Sequence, residues 1–283
     1  MKPTQEIIDT VNTAPDLDRS GKVHGVTWEE STKAYDKIIA KGKDGYLQVA
    51  GMLQEVDDGT DYKPRYVLHG IAAYLTGPGK EAQRKEYAEA LASALGGDMP
   101  KAVQGFLIRQ LQVAGGKEVV ETLGKQLLDE DNWDYASQAL LAIGGGEAQF
   151  RAALKSAKEK KMAPQLLDAA HALATIADKE SAGALRELVA SGGEEDLRLV
   201  SAWGLANMGD TGSTDTLLKF ADGEKPGWSR IKATSYCLLL AENLAAAGDK
   251  GTAKKIYEHL EKTRTSHEEE YIRDVAKDIL TTL

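Results

Sequence analysis

Glu195-Asp196-Leu197-Arg198-Leu199-Val200-Ser201-Ala202-Trp203-Gly204-Leu205-Ala206-Asn207-Met208-Gly209-Asp210 is the stretch that decides the fold. Its apolar residues recur at helical rather than strand spacing, and it stops on a Gly-Asp pair. The ending Leu205-Ala-Asn-Met-Gly209 has four counterparts: Leu111-Gln-Val-Ala-Gly115, Leu140-Leu-Ala-Ile-Gly144, Leu173-Ala-Thr-Ile-Ala177 and Leu244-Ala-Ala-Ala-Gly248. Their leading leucines are separated by 29, 33, 32 and 39 residues. Four of the five turns place an aliphatic residue eight positions on, at Leu123, Leu185, Leu217 and Ile256. After the longer Gly144-Gly145-Gly146 turn that position falls on Ala152, and Leu154 takes the role. Unrelated helices have no reason to share such a register, so the chain is read as a repeat.

Each unit reads as helix, Gly/Asp turn, helix. Glycine suits the turn because the residue after a helix often takes positive φ, which costs a residue with a Cβ more. Asp210 and Asp249 stand where a carboxylate can cap the helix that follows. Ala139, Ala172 and Ala202 keep the first helices slim enough for close packing. One such hairpin cannot cover its own apolar face, so the units must stack. The spacing predicts an all-α protein, a right-handed α-solenoid of stacked helical hairpins. Residues 1–26 are expected to be a largely irregular tail, and 27–283 a single solenoid of about seven helix pairs plus a terminal helix. Short linkers are expected at Asp57–Asp61, Gly96–Pro100 and Gly223–Gly227.

The pattern resembles the HEAT family of repeats, especially the short HEAT-like kind of bacterial and phycobilisome-lyase-type proteins. The stretch from Glu195 to Asp210 is similar to the family's D-x-x-V-R-x-x-A-x-x-A-L-x-x-I-G-D, with the arginine one position early. Glu270-Tyr271-Ile272-Arg273-Asp274-Val275-Ala276 looks like the start of a further unit. The resemblance implies a fold rather than an activity, because such folds host many functions. HEAT-repeat deoxyhypusine hydroxylases hold two irons with several His-Glu dipeptides; here only His267-Glu268 has that form, so that enzyme reading fails.

Composition narrows the function classes. The 35 Lys and Arg against 44 Asp and Glu give a net charge of −9, which argues against a phosphate-tracking surface. A single cysteine allows no internal disulfide and no cysteine-rich zinc site. The first ten residues hold no apolar signal core, and the longest apolar run, Tyr236 to Ala241, is far short of a membrane span. A soluble, acidic, cytoplasmic protein is expected by default; a trimmed exported or periplasmic chain would read the same. No membrane insertion is expected.

Candidate sites are few. Asp16, Asp18 and Ser20, followed by Gly21 and Val23, stand where oxygen ligands fall in a calcium loop of the EF-hand type. The bidentate Glu is missing, since position twelve is Thr27. The favoured reading is therefore a solvated loop, with Asp16, Asp18 and Ser20 as ligands only if calcium binds. The five histidines share no metal-ligand spacing, and Cys237 sits in an apolar helix that suits a buried thiol. Trp133, Trp203 and Trp228 recur near the first helices of successive units and are expected to be packing anchors. There is no catalytic constellation, no P-loop and no G-x-S-x-G elbow.

The expectation is a non-enzymatic interaction scaffold that binds a protein partner and no nucleic acid. In HEAT-like proteins second helices usually line the concave face, which here implies Glu121, Lys125, Arg151, Lys155, Arg186 and Lys219 as partner-binding residues. The alternative is a small-ligand or cofactor-handling protein of the bilin-lyase kind. It calls for an aromatic pocket that 6% aromatic residues make thin.

Overall fold

Hydrophobic spacing becomes helix almost throughout the computed structural model, which describes residues 2–18, 20–55 and 59–283. Among the described residues there are sixteen α-helices and one two-stranded hairpin. The chain is all-α and groups into two compact units, Met1–Gln149 and Phe150–Leu283. The sequence suggested one continuous stack; the division falls inside a helix, Glu147–Lys160. None of the described helices is long and apolar enough to cross a membrane.

The first unit opens on α1, Gln5–Asn12, a correction to the expected irregular tail. Thr4 caps it by accepting from the Ile7 N–H, and Ile7 and Val11 are buried on one face of it. Three apolar residues in an eight-residue helix, Ile7, Ile8 and Val11, are too few for a periodicity to show in sequence, yet tertiary burial is enough to hold it. Next come β1, Asp16–Leu17, and β2, Val23–His24, paired antiparallel. The helices of this unit continue as α2 Trp28–Ile39, α3 Gly42–Ala50, α4 Tyr62–Leu75, α5 Glu81–Ala92, α6 Lys101–Ala114, α7 Val120–Gln126 and α8 Trp133–Ile143. First helices contact first helices along the series α2, α4, α6, α8, and α3 meets α5. This i-to-i+2 packing is the α-solenoid arrangement of stacked hairpins.

The second unit holds most of α9, Glu147–Lys160, then α10 Ala163–Thr175, α11 Ala182–Ala190, α12 Glu195–Met208, α13 Thr214–Gly223, α14 Trp228–Ala246, α15 Lys250–Thr263 and α16 Glu270–Thr282. Here α10, α12 and α14 pack in series, as do α11, α13 and α15. Short 3-10 turns, Lys179–Ser181, Thr211–Ser213 and His267–Glu269, lead into α11, α13 and α16.

The register leucines 111, 140, 173, 205 and 244 are all buried, and so are Leu123, Leu185, Leu217 and Ile256. Leu154 is buried where Ala152 is exposed, as the longer glycine turn requires. Of the two candidate caps, Asp249 accepts from the Thr252 N–H at 3.0 Å. Asp210 instead takes the Arg186 guanidinium and the Ser213 hydroxyl. The expected linker at Asp57–Asp61 lies partly outside the described residues, at Asp57 and Asp58. Its last residue, Asp61, is buried and accepts from the Gln54 N–H and from Arg65, each at 2.8 Å.

Candidate binding surfaces

The six charged residues expected on the second helices divide into two kinds. Arg151 on α9 donates to Asp178 at 2.6 Å and pairs with Glu180 at 3.1 Å, both in the turn between α10 and α11. Arg186 on α11 pairs with Asp210, in the turn between α12 and α13. In the first unit Arg84 on α5 repeats the device, donating to Ala114 O at 2.6 Å and to Glu118 at 2.8 Å, around the turn between α6 and α7. A second-helix arginine therefore reaches the turn of the next hairpin and ties successive repeats together. These guanidiniums and the carboxylates of Glu118, Asp178 and Asp210 are partly buried, where an ion pair is worth more than on an open surface. Charge reversal at Arg151 or Arg186 would report on stability before it reported on recognition.

The other four remain in solvent. Glu121 and Lys125 pair with each other across one turn of α7, and Lys155 is exposed on α9. Lys219 is exposed on α13 and lines a cleft of about 440 Å3 with Arg198, Thr216, Phe220 and the end of α11.

A second cleft, about 340 Å3, runs across α4, α6 and α8 in the first unit. It is a first-helix surface, where the sequence reading looked to second helices. Arg65 lies over the Phe106 ring at 5.0 Å and Arg109 over the Tyr135 ring at 5.3 Å. Glu55, Lys101 and Asp131 complete the charged lining. Gly105 makes the cleft possible: a Cβ there would stand 2.8 Å from Asn132 Oδ1 and 3.0 Å from the Tyr135 ring, forcing α6 and α8 apart. Asn132 is itself buried, and its Nδ2 has no acceptor. Nothing in the repeat register singles out these residues, because they come from three hairpins and meet only after folding.

The calcium candidate folds as a tight hairpin. Asp16 pairs with Lys63 at 2.9 Å and accepts from the Tyr62 hydroxyl at 3.2 Å. Asp18 Oδ1 accepts from the Ser20 N–H at 2.8 Å, the Ser20 hydroxyl at 2.6 Å and the Lys22 N–H at 3.0 Å. Those donors, led by the Ser20 hydroxyl, hold the Asp18 carboxyl below its ordinary range, and Lys63 does the same for Asp16. Oδ1 of Asp16 is thus engaged by an ammonium and a phenol hydroxyl, and Oδ1 of Asp18 by the turn's own donors. Among the described residues no group of three or more His, Cys, Asp or Glu is arranged to hold a metal.

The histidines are dispersed. His69 shares a 3.0 Å hydrogen bond with Gln110, His171 stacks on Trp203 with centroids 5.8 Å apart, and His259 lies 2.8 Å from Asp222. Cys237 is buried, and burial pushes its thiol up to about 12, so it is no nucleophile at neutral pH. Trp228 departs from the packing role expected of it: the residue is 59% exposed, with Lys232 Nζ 5.7 Å from its ring centroid.

Fold and surfaces together define a helical-hairpin repeat protein with clefts on its helix faces. No family model matches the chain, and no curated protein matches it in sequence. Among solved structures, human deoxyhypusine hydroxylase in complex with glycerol is similar over 99% of this chain and 97% of that chain, at 16% identity and a TM-score of 0.35. A likeness that distant transfers no residue role and no activity.

Proposed function

We propose that the chain is a non-enzymatic interaction scaffold that binds a protein partner across the α4–α6–α8 cleft. The observation that carries this reading is the character of the lining: two arginine-on-aromatic stacks beside both acidic and basic side chains. Arginine and tyrosine are enriched at the energetic centres of protein interfaces. Mixed charge suits a polypeptide, which presents both signs, better than a uniformly anionic nucleic acid. The neighbouring hairpins supply a rigid frame, so little ordering is lost on binding. A pigment-handling role finds less support: a cleft of about 540 Å3 beside α3 and α5 is lined by Leu47, Leu53, Met99 and Val103 and by no aromatic ring.

The test is affinity capture from native extract with three baits: the native chain, an Arg109→Glu/Tyr135→Ala variant, and Lys155→Glu as a surface control. A partner held by the native chain and by the Lys155 variant, but reduced at least about tenfold by the cleft variant at unchanged melting, supports the reading. Equal capture by all three baits moves the partner off this cleft.

A further inference from the structure

The second unit carries a site of a different chemistry. Its 440 Å3 cleft lies between the C-terminal ends of α11 and α13, walled by Val189, Ala190 and Phe220. Arg198 enters from α12, its guanidinium 5.0 Å from the Phe220 ring centroid. One edge of that guanidinium is engaged, since Nη1 donates to Glu224 at 2.7 Å. Nε is sealed off, whereas Nη2 keeps accessible surface and makes no hydrogen bond among the described residues. Lys219 lines the same cleft and is in no ion pair among the described residues, and the Thr216 hydroxyl is likewise uncommitted. Glu224 is the only carboxylate in the lining, and Arg198 already neutralises it.

The unused polar groups are thus an ammonium, a guanidinium Nη2 and a hydroxyl, set against an aliphatic and aromatic wall. Helix C-termini ordinarily repel anions. At α13 that effect is reduced, because Arg230 Nη1 donates to the carbonyls of Ala221, Asp222 and Glu224 at 3.2 to 3.5 Å. The cleft falls in the range of small-molecule pockets, which pair apolar walls with a few placed polar groups.

We propose that this cleft binds a small organic acid, an oxyanion carried on an apolar body. Lys219 supplies the charge, Arg198 the directional donor and Thr216 a third hydrogen bond, while Phe220, Val189 and Ala190 cover the apolar part. Carboxylate and phosphate share this chemistry, and the choice between them is left to the probes.

The experiment is titration of the whole isotope-labelled chain with phenylacetate, phenyl phosphate and the neutral phenylacetamide, followed by amide chemical shifts. One or both acids should shift the signals of Ala190–Gly192 and Thr216–Glu224, at least about tenfold more tightly than the amide does. The tighter of the two acids names the oxyanion. Lys219→Gln, at an exposed position with no ion pair to lose, should weaken the acids severalfold and leave the amide unchanged. Three results overturn the proposal: no shift from either acid at about 10 mM, equal binding of acid and amide, or a Lys219→Gln variant that binds the acids as before.

Discussion

The helices α2–α5 and the segment from α13 to the His267–Glu269 turn close their hairpins by opposite means. In the first, tyrosines fill the interior. Tyr46 and Tyr87 meet edge to face at 5.0 Å, and Tyr35 packs with Trp28 and Tyr74 at 6.1 Å each. The Tyr87 hydroxyl donates to Leu68 O at 2.8 Å, so the buried ring leaves no polar atom unmet. Gly70 lets Tyr35 in, since a Cβ there would stand 2.0 Å from its hydroxyl.

In the second region a charge takes the place of a ring. Arg264 has no exposed surface. It donates to Asp222 at 2.6 Å and to the Thr234 hydroxyl at 3.1 Å, and lies 3.5 Å from Glu269. Arg230 donates to the same Glu269 at 2.6 Å. Aromatic filling draws on apolar area and is indifferent to pH. A buried ion network must offset desolvation with every partner in place, so it is sensitive to the loss of any one.

The largest expected effect follows from that sensitivity. Arg264→Ala takes the main partner from Asp222, leaves Glu269 to Arg230 alone and opens a cavity, and should cost about 3 kcal/mol or more in denaturant unfolding. Adding Asp222→Asn should recover part of the loss, because the carboxylate left without Arg264 goes with it. A cost below about 1 kcal/mol would erase the contrast between the two regions.

Acid should separate them next. Burial pushes the Glu269 carboxyl up, but hydrogen bonds from Arg230 and Ser266 and the charges of Arg230 and Arg264 outweigh it and leave the group below its ordinary 4.5. For Asp222, burial is likewise outweighed by Arg264 and His259, and the group sits below 3.8. A carboxyl depressed in the folded state contributes stability that is complete above its ordinary value and is lost as pH falls through the depressed one. Hydrogen exchange followed from pH 7 downward should show α14 and α15 amides losing protection below about pH 4. Amides of α3 and α5, beneath the Tyr46–Tyr87 pair, should hold to lower pH. Loss in parallel would mean that the ion network is no more acid-sensitive than the aromatic core.

Sequence reading reached these regions unequally. The hairpin register was legible because one physical demand, an aliphatic side chain facing the next repeat, recurs at Leu111, Leu140, Leu173, Leu205 and Leu244, all buried. The roles of single charges were not legible. Arg151 and Arg186 carry the same alphabet as Lys155 and Lys219, and only the turn of the next hairpin shows which of them are engaged. Arg264 follows the last residue of a helix, where a cation commonly sits in solvent against the dipole; its burial depends on Asp222 and Glu269 from other elements. The α4–α6–α8 cleft was missed for the same reason. It is a property of three helices, and no window of sequence contains it.

The smallest expected effect tests the backbone apart from either kind of side chain. Three turns of the second unit share one hydrogen-bond pattern. Asp178, Asp210 and Asp249 donate their N–H groups to Leu173, Leu205 and Leu244 O at 3.0, 3.3 and 2.8 Å. The residue before each aspartate is left-handed: Gly209 at φ +64°, Gly248 at +94°, but Ala177 at +53°. Alanine bears a Cβ clash there that glycine avoids, on the order of 1 kcal/mol. Glycine gives some of that back through the greater freedom of its unfolded chain. Ala177→Gly should therefore raise stability by about 0.5 kcal/mol, a shift of about 1–2 °C in Tm. No charge and no ring changes, so the acid limb should keep its shape and move bodily with the gain. A change in that shape would mean that the turn at Ala177 is coupled to the Arg151–Asp178 pair beside it, and that backbone and charge are not separable in this unit.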